Sequence, residues 1–209
     1  MFRWHRVLLC ASLFVTTVVS TGTLSHATTA GKTPQSQPPD FRSTRWGMHV
    51  EEVKTLEGNR KSEESPHGRK VLLTYSDVVA GIACTVAYIF ADGQLVRAKY
   101  IETAGHSNNN DYISDYETLQ SAVIKKYGDP SQNETFWKND LYKSDPQEWG
   151  MAVAVGHLVK ASRWETSRTV IGLILEGDNY DVTLSLEYMS KQLAPLEKAA
   201  NDAEQEQKF

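Results

Sequence analysis

"IACTVAYIFADGQLVRAKYIE" occupies residues 82–102. Ile82, Cys84, Val86, Tyr88 and Phe90 fall on alternate positions, so they share one face of an extended strand. Asp92-Gly93 follows, a pair suited to the left-handed backbone of a two-residue hairpin turn. "LVRAKYIE" then runs back as a second strand. Upstream, "VLLTYSDV" (71–78) is a third β candidate, joined to the hairpin by a turn at Gly81. This stretch reads as an antiparallel meander.

Helices are expected on either side. Before the meander, "FRSTRWGMHVEEVKTLEG" (41–58) places Met48, Val50, Val53 and Leu56 on one helical face, and Gly58 stops it. "NRKSEESPHGRK" (59–70) reads as a charged loop. After the meander, Tyr112, Tyr116, Leu119, Val123 and Tyr127 recur at helical spacing. Asn110 or Asp111 is placed to cap that helix, and Gly128-Asp129-Pro130 ends it.

The second half repeats the plan with additions. "ETFW" (134–137) is a short strand candidate, and "DPQEWGMAVAVGHL" (145–158) a short helix begun by Pro146. "KASRWET" and "TVIGLILEG" are strands, followed by a turn at "GDN". "YDVTLSLEY" (180–188) alternates strictly, with Tyr180, Val182, Leu184, Leu186 and Tyr188 inward. The expected fold is α+β: two helix-plus-antiparallel-meander (α-β-β-β) units, about 41–104 and 105–190, packed into one domain, the second with an insert. Residues 191–209 form a polar helical or frayed tail.

The N-terminus points to export. Arg3 and Arg6 precede an apolar run from Val7 to Val19, and Ser25-His26-Ala27 offers small residues for cleavage after Ala27. Residues 1–27 read as a signal peptide, with a retained anchor as the competing reading. "TTAGKTPQSQPPD" (28–40) reads as a flexible tether. Loss of Arg3 and Arg6 takes the net charge from −4 to −6. A mildly acidic chain without a basic stripe argues against nucleic acid. Cleavage leaves Cys84 as the only cysteine, so no intrachain disulfide holds the domain. That usage suits a bacterial periplasmic or secreted protein, not membrane-spanning once processed.

"WGMHVEEV" with its later glycine, and "KKYGDP" followed by "FW", resemble small secreted bacterial α+β proteins of the BamE/SmpA type and the β-lactamase-inhibitor-protein-like type. Gly47-Met48 at a helix start and Gly128-Asp129-Pro130 after a helix carry the likeness. It implies a sheet with helices on one face, and binding rather than catalysis. The chain has no lipobox, since Cys10 sits inside the apolar run behind Leu9. Membrane anchoring and outer-membrane assembly therefore do not carry over.

Motifs for chemistry are sparse. His49, His67, His106 and His157 show no metal-ligand spacing, and a structural or surface role is expected for each. His106 and His67, in polar loops, are the best placed for another role. "NNNDYISD" lacks the glycine and terminal glutamate of a calcium loop and reads as a helix cap. Cys84 sits mid-strand and reads as inert. No nucleophile elbow or phosphate-cradling loop occurs. No catalytic residue, metal ligand or cofactor is expected.

Aromatic residues are numerous. Core packing explains most of them, while Trp149, Trp164, Tyr88 and Tyr100 are the candidates for a docking surface. The functional expectation is a non-enzymatic binding or adaptor protein whose partner is an envelope protein or peptide. It would dock on an aromatic-lined sheet face or on the exposed insert around Trp149. Trp46 is expected to pack the first helix onto the sheet. The alternative is a hydrolase or small-ligand-binding protein with a site assembled from scattered His and carboxylates. The two separate on one feature: an enzyme needs a pocket where His106 or His157 lies within hydrogen-bond reach of a carboxylate, and such a cluster overturns the adaptor reading.

Overall fold

A computed structural model describes residues 38–206; the expected signal peptide and residues 28–37 of the expected tether lie outside the described residues. Eight strands form one antiparallel sheet: β1 (Ser62–His67), β2 (Lys70–Val79), β3 (Ile82–Ala91), β4 (Gln94–Glu102), β5 (Gln132–Trp137), β6 (Leu158–Glu165), β7 (Thr169–Asp178) and β8 (Asp181–Ser190). Their order across the sheet is β1-β2-β3-β4-β8-β7-β6-β5. Four helices complete this α+β fold: α1 (Val50–Glu57), α2 (Asn110–Tyr127), α3 (Trp149–Ala154) and α4 (Ala194–Glu206).

The hairpin turns follow local chemistry. Ala80-Gly81, Asp92-Gly93 and Asn179-Tyr180 all take positive φ at both central positions. This backbone matches the right-handed twist of the strands it joins. The strand face carrying Ile82, Cys84, Val86, Tyr88 and Phe90 is buried as expected. From β8, Leu184, Leu186 and Tyr188 join it. Tyr180, expected inward, lies in the turn and is exposed.

Two layers cover the sheet. The main core packs Val53 of α1, Tyr116, Leu119 and Val123 of α2, and Ala152 and Val153 of α3 onto one face. α4 packs on the other face of the β3–β4 region, where Ala200, Leu193 and Leu196 meet Ile89, Ala91 and Val96. The C-terminal segment is thus a docked helix, and it explains why both faces of late β3 are buried. Ion pairs hold it: Arg97 meets Glu197 at 2.8 Å, and Lys70 meets Glu204 at 2.6 Å.

Three other expectations are corrected. Residues 62–67 form strand β1, not a loop. Its side chains show no alternation because it is an outer strand, held to β2 by its backbone. Pro66 is tolerated at such a position. Leu56 leaves the core, 46% exposed at the end of α1. Asp40 belongs to the fold and not the tether: its Oδ2 accepts the Trp46 amide at 3.0 Å and pairs with Arg168 at 2.7 Å.

The stretch beginning at Phe41 locks the sheet. Phe41 is buried among Tyr88, Tyr100 and Tyr188, with ring centroids 5.4, 4.9 and 5.1 Å away. Gly47 N–H donates to the Leu95 carbonyl, and Leu95 N–H returns a bond to Met48, both at 2.9 Å. Trp46 Nε1 donates to Thr169 Oγ1 at 2.9 Å, tying this segment to β7.

Candidate functional site

The four residues expected at a docking surface do not come together. Tyr88 is wholly buried and donates its hydroxyl hydrogen bond to Glu57. Trp164 is buried too, its Nε1 donating to the Gly128 carbonyl at 2.9 Å. Tyr100 packs half-buried against Phe41 and Tyr188, and burial pushes its hydroxyl up to about 12. These three side chains lie on the helix-covered face, where a core forms because large aromatic rings bury most area there. The expected aromatic-lined open face is therefore absent among the described residues of this set.

Trp149 is the exception. It starts α3, half-buried, and stands edge-on to Trp137 with ring centroids 5.8 Å apart. Its Nε1 donates to the Lys143 carbonyl at 3.3 Å, folding the 138–148 insert back over the end of β5. The insert is anchored from α2. Asn110, expected as a cap, uses its Oδ1 to accept the Gly150 amide at 2.7 Å and its Nδ2 to donate to the Gln147 carbonyl. Asn109 takes the cap position without a side-chain hydrogen bond, and Asn108 Oδ1, one residue earlier, accepts the Asn110 amide at 3.1 Å.

Around this anchor the surface sets two exposed apolar side chains among polar and charged ones. β5 is an outer strand bonded to β6 alone, and five of its six residues are exposed. Phe136, opposite Val159 in the register, is 61% exposed, and Leu141 in the insert is 68% exposed. The other outer strand, β1, carries Glu63, Glu64 and Pro66, which discourage pairing. β5 carries one charge, Glu134.

A second grouping lies at the far end of β4. Glu102 closes that strand, His106 stands in the loop that follows, and Asp115 projects from α2. His106 Nε2 lies 2.7 Å from Glu102 Oε1 and 2.9 Å from Asp115 Oδ2. Tyr112 packs edge-on to the imidazole at 4.5 Å, fixing its plane. Asp111 Oδ2 stands 4.0 Å from Nδ1. Burial pushes the Glu102 carboxyl up to about 7; His106 pulls it back and Asp115 adds to the rise. Burial disfavours the charged imidazole, but Asp115 and Glu102 outweigh it and raise its affinity for a proton. Cys84, cross-strand from Glu102, has its thiol pushed up to about 11 chiefly by burial, which leaves it inert at neutral pH.

The expectation that the histidines are only structural is thus incomplete, because His106 reaches two carboxylates. Two surface depressions, one beside Trp46, Gln94, Arg168 and Lys191 and one beside Asp40, Tyr127 and Thr166, are not lined by the cluster. His157 stacks on Tyr142 at 5.8 Å, and its buried Nδ1 has no hydrogen-bond partner. No helix among the described residues is long and apolar enough to cross a membrane. Compared with protein-family models, characterised proteins and solved structures, the chain matches none.

Proposed function

We propose that this chain is an exported, non-enzymatic binding or adaptor protein of the periplasm or extracellular space. Its partner is a polypeptide, an envelope protein or peptide, docked along β5 and the insert behind it. One observation carries this reading: β5 is an outer strand paired on one side only, with Phe136 exposed on it and Leu141 exposed in the insert that follows. An extended segment that adds to such an edge gains main-chain hydrogen bonds, while alternate side chains find specificity against the flanking surface. Phe136 and Leu141 offer exposed apolar side chains to such a segment, while Trp137, next along β5, turns to the opposite face and packs on Trp149.

Within this reading residues 1–27 direct export and the following segment is a tether. The sheet is read as two helix-plus-meander units, about 41–104 and 105–190, that meet where β4 pairs with β8. The likeness of Gly47-Met48 and Gly128-Asp129-Pro130 to BamE/SmpA-like and β-lactamase-inhibitor-protein-like chains points the same way. The alternative, a hydrolase or small-ligand-binding protein, draws its support from the His106 cluster, where one imidazole nitrogen lies within hydrogen-bond reach of two carboxylates.

The test is affinity capture with cross-linking, using the chain as bait in an envelope extract. A specific polypeptide retained by the wild type and lost with Phe136→Asp and with Trp149→Ala supports docking at β5. Equal capture by Phe136→Asp places the partner elsewhere and ends this reading.

A further inference from the structure

We infer that Glu102, His106 and Asp115 form a binding site for a first-row divalent cation, zinc foremost. Each offers one ligand atom, and the three atoms lie within 4.8 Å of one another. This inference stands apart from docking at β5, since no residue is shared.

The proton count is the first reason. His106 Nε2 faces two carboxylate oxygens, at 2.7 and 2.9 Å, and that nitrogen carries one hydrogen at most. One N–H cannot bond both oxygens well, while one cation between them satisfies both. The second reason is independent of those contacts. The Glu102 side chain is only 2% exposed, and its Oε2 is buried without a hydrogen-bond partner. An orphaned carboxylate oxygen away from water is costly, and an ion that Glu102 holds through both Oε1, which faces His106, and Oε2 removes that cost.

The donor set selects the ion. Two carboxylates balance a divalent charge, and a neutral imidazole adds a nitrogen suited to zinc and its neighbours. Calcium takes six to eight oxygens, which this set does not supply, and magnesium, a hard ion that prefers oxygen, gains little from an imidazole nitrogen. Tetrahedral zinc ligands at about 2.0–2.1 Å sit roughly 3.3 Å apart, so the cluster opens slightly on loading. His106 sits in the irregular loop between β4 and α2, which allows that adjustment. The side chains of His106 and Asp115 stay 19% and 22% exposed, so water can reach the fourth position from outside. Asp111, near Nδ1, stands where an outer carboxylate orients a ligating imidazole.

The experiment is calorimetric titration of zinc chloride into the full chain after chelator treatment, repeated with magnesium chloride. Wild type is expected to take up one zinc and no magnesium. Asp115→Asn and His106→Gln should weaken zinc binding beyond the roughly 10–100-fold that losing an outer partner costs. His67→Gln, outside the cluster, should bind as wild type does. Circular dichroism establishes that each variant is folded, and Asp115→Asn, partly exposed on α2, supplies the decisive folded variant. Zinc should raise the thermal midpoint of wild type and not of Asp115→Asn. Failure of wild type to bind zinc, equal uptake by Asp115→Asn, or equal affinity for magnesium overturns the inference.

Discussion

Glu57, at the last position of α1, accepts the hydroxyl hydrogen bond of Tyr88 from the middle of β3. The same carboxylate pairs with Arg42 at 3.1 Å and Arg60 at 2.8 Å, and both arginines also reach Asp77 on β2. One acid therefore ties α1, the segment before it and two strands. Glu57→Ala leaves a buried hydroxyl unpaired and two cations short of a partner. The expected loss is about 2–4 kcal/mol, read from urea unfolding midpoints. Tyr88→Phe removes the donor alone and should cost about 1 kcal/mol. Equal losses for the two would show that the arginines contribute nothing.

Gly150 has no room for a side chain. A Cβ there would lie 2.2 Å from the Asn109 carbonyl carbon and 2.3 Å from the Asn110 amide nitrogen. Both contacts are backbone, so α3 would have to move off α2. Gly150→Ala should lower stability by about 2 kcal/mol or more, with loss of the Asn110 tether to the insert. Gly172→Ala, which meets nothing within 4 Å, is the matched control and should stay within about 0.5 kcal/mol. Similar thermal midpoints for the two variants would refute the close approach.

Tyr180 occupies the second centre of the β7–β8 turn at φ 67° while 68% exposed. A bulky residue in left-handed backbone is strained, and Asn-Gly is the favoured pair for such a turn. Tyr180→Gly is expected to stabilise the chain by about 0.5–1 kcal/mol, because relieved strain exceeds the added freedom of the unfolded glycine. Thermal unfolding by circular dichroism checks the sign.

The pH response should be two-sided. Burial works against the ionised Asp77, but Arg42, the Val78 amide and Arg60 hold its carboxyl below the ordinary value of 3.8. Lys99 and Arg97 likewise hold the buried Glu187 below 4.5. Lowered folded values give stability that is present above the unfolded values and lost as pH falls below them. The tyrosines run the other way. Burial raises Tyr88, Tyr100, Tyr116 and Tyr188 above 10, so their contribution is full below pH 10 and lost as pH climbs past it. Chemical denaturation across pH should show these two limbs, with a further decline through the neutral range as Glu102 and His106, both raised in the fold, lose their protons. An acid limb unchanged by Glu187→Gln would remove that residue from the account.

Much of the sheet was legible because its strands carry their own pattern. β3 keeps its core side chains at Ile82, Cys84, Val86, Tyr88 and Phe90, β8 keeps Leu184, Leu186 and Tyr188, and Asp92-Gly93 names its turn. β1 was not legible, since an outer strand held through its backbone leaves no apolar alternation in "SEESPH". The docking aromatics were misplaced for a related reason: Tyr88 and Trp164 look alike in sequence whether a helix covers their face or not. The His106 cluster was half legible. Its histidine stood out in a polar loop, but Glu102 and Asp115 come from a strand end and a helix, so no single-element spacing links them. Asn110 read as a cap because its position allows one, and only the folded insert gives its amide a better use.

The centre of the sheet sets the timetable of folding. β1 to β4 pair with near neighbours in sequence, but β4 waits for β8, with Arg97 opposite Met189 and Lys99 opposite Glu187. Such distant pairing is slow, because the intervening chain must be ordered first. Until it happens the nascent N-terminal half presents a bare strand edge. Arg97 and Lys99 lie on that edge, and charge there discourages sticking to other chains. When β8 and α4 arrive, Glu187 and Glu197 neutralise the same two cations. These ion pairs thus mark the moment at which a guard against aggregation becomes part of the finished sheet.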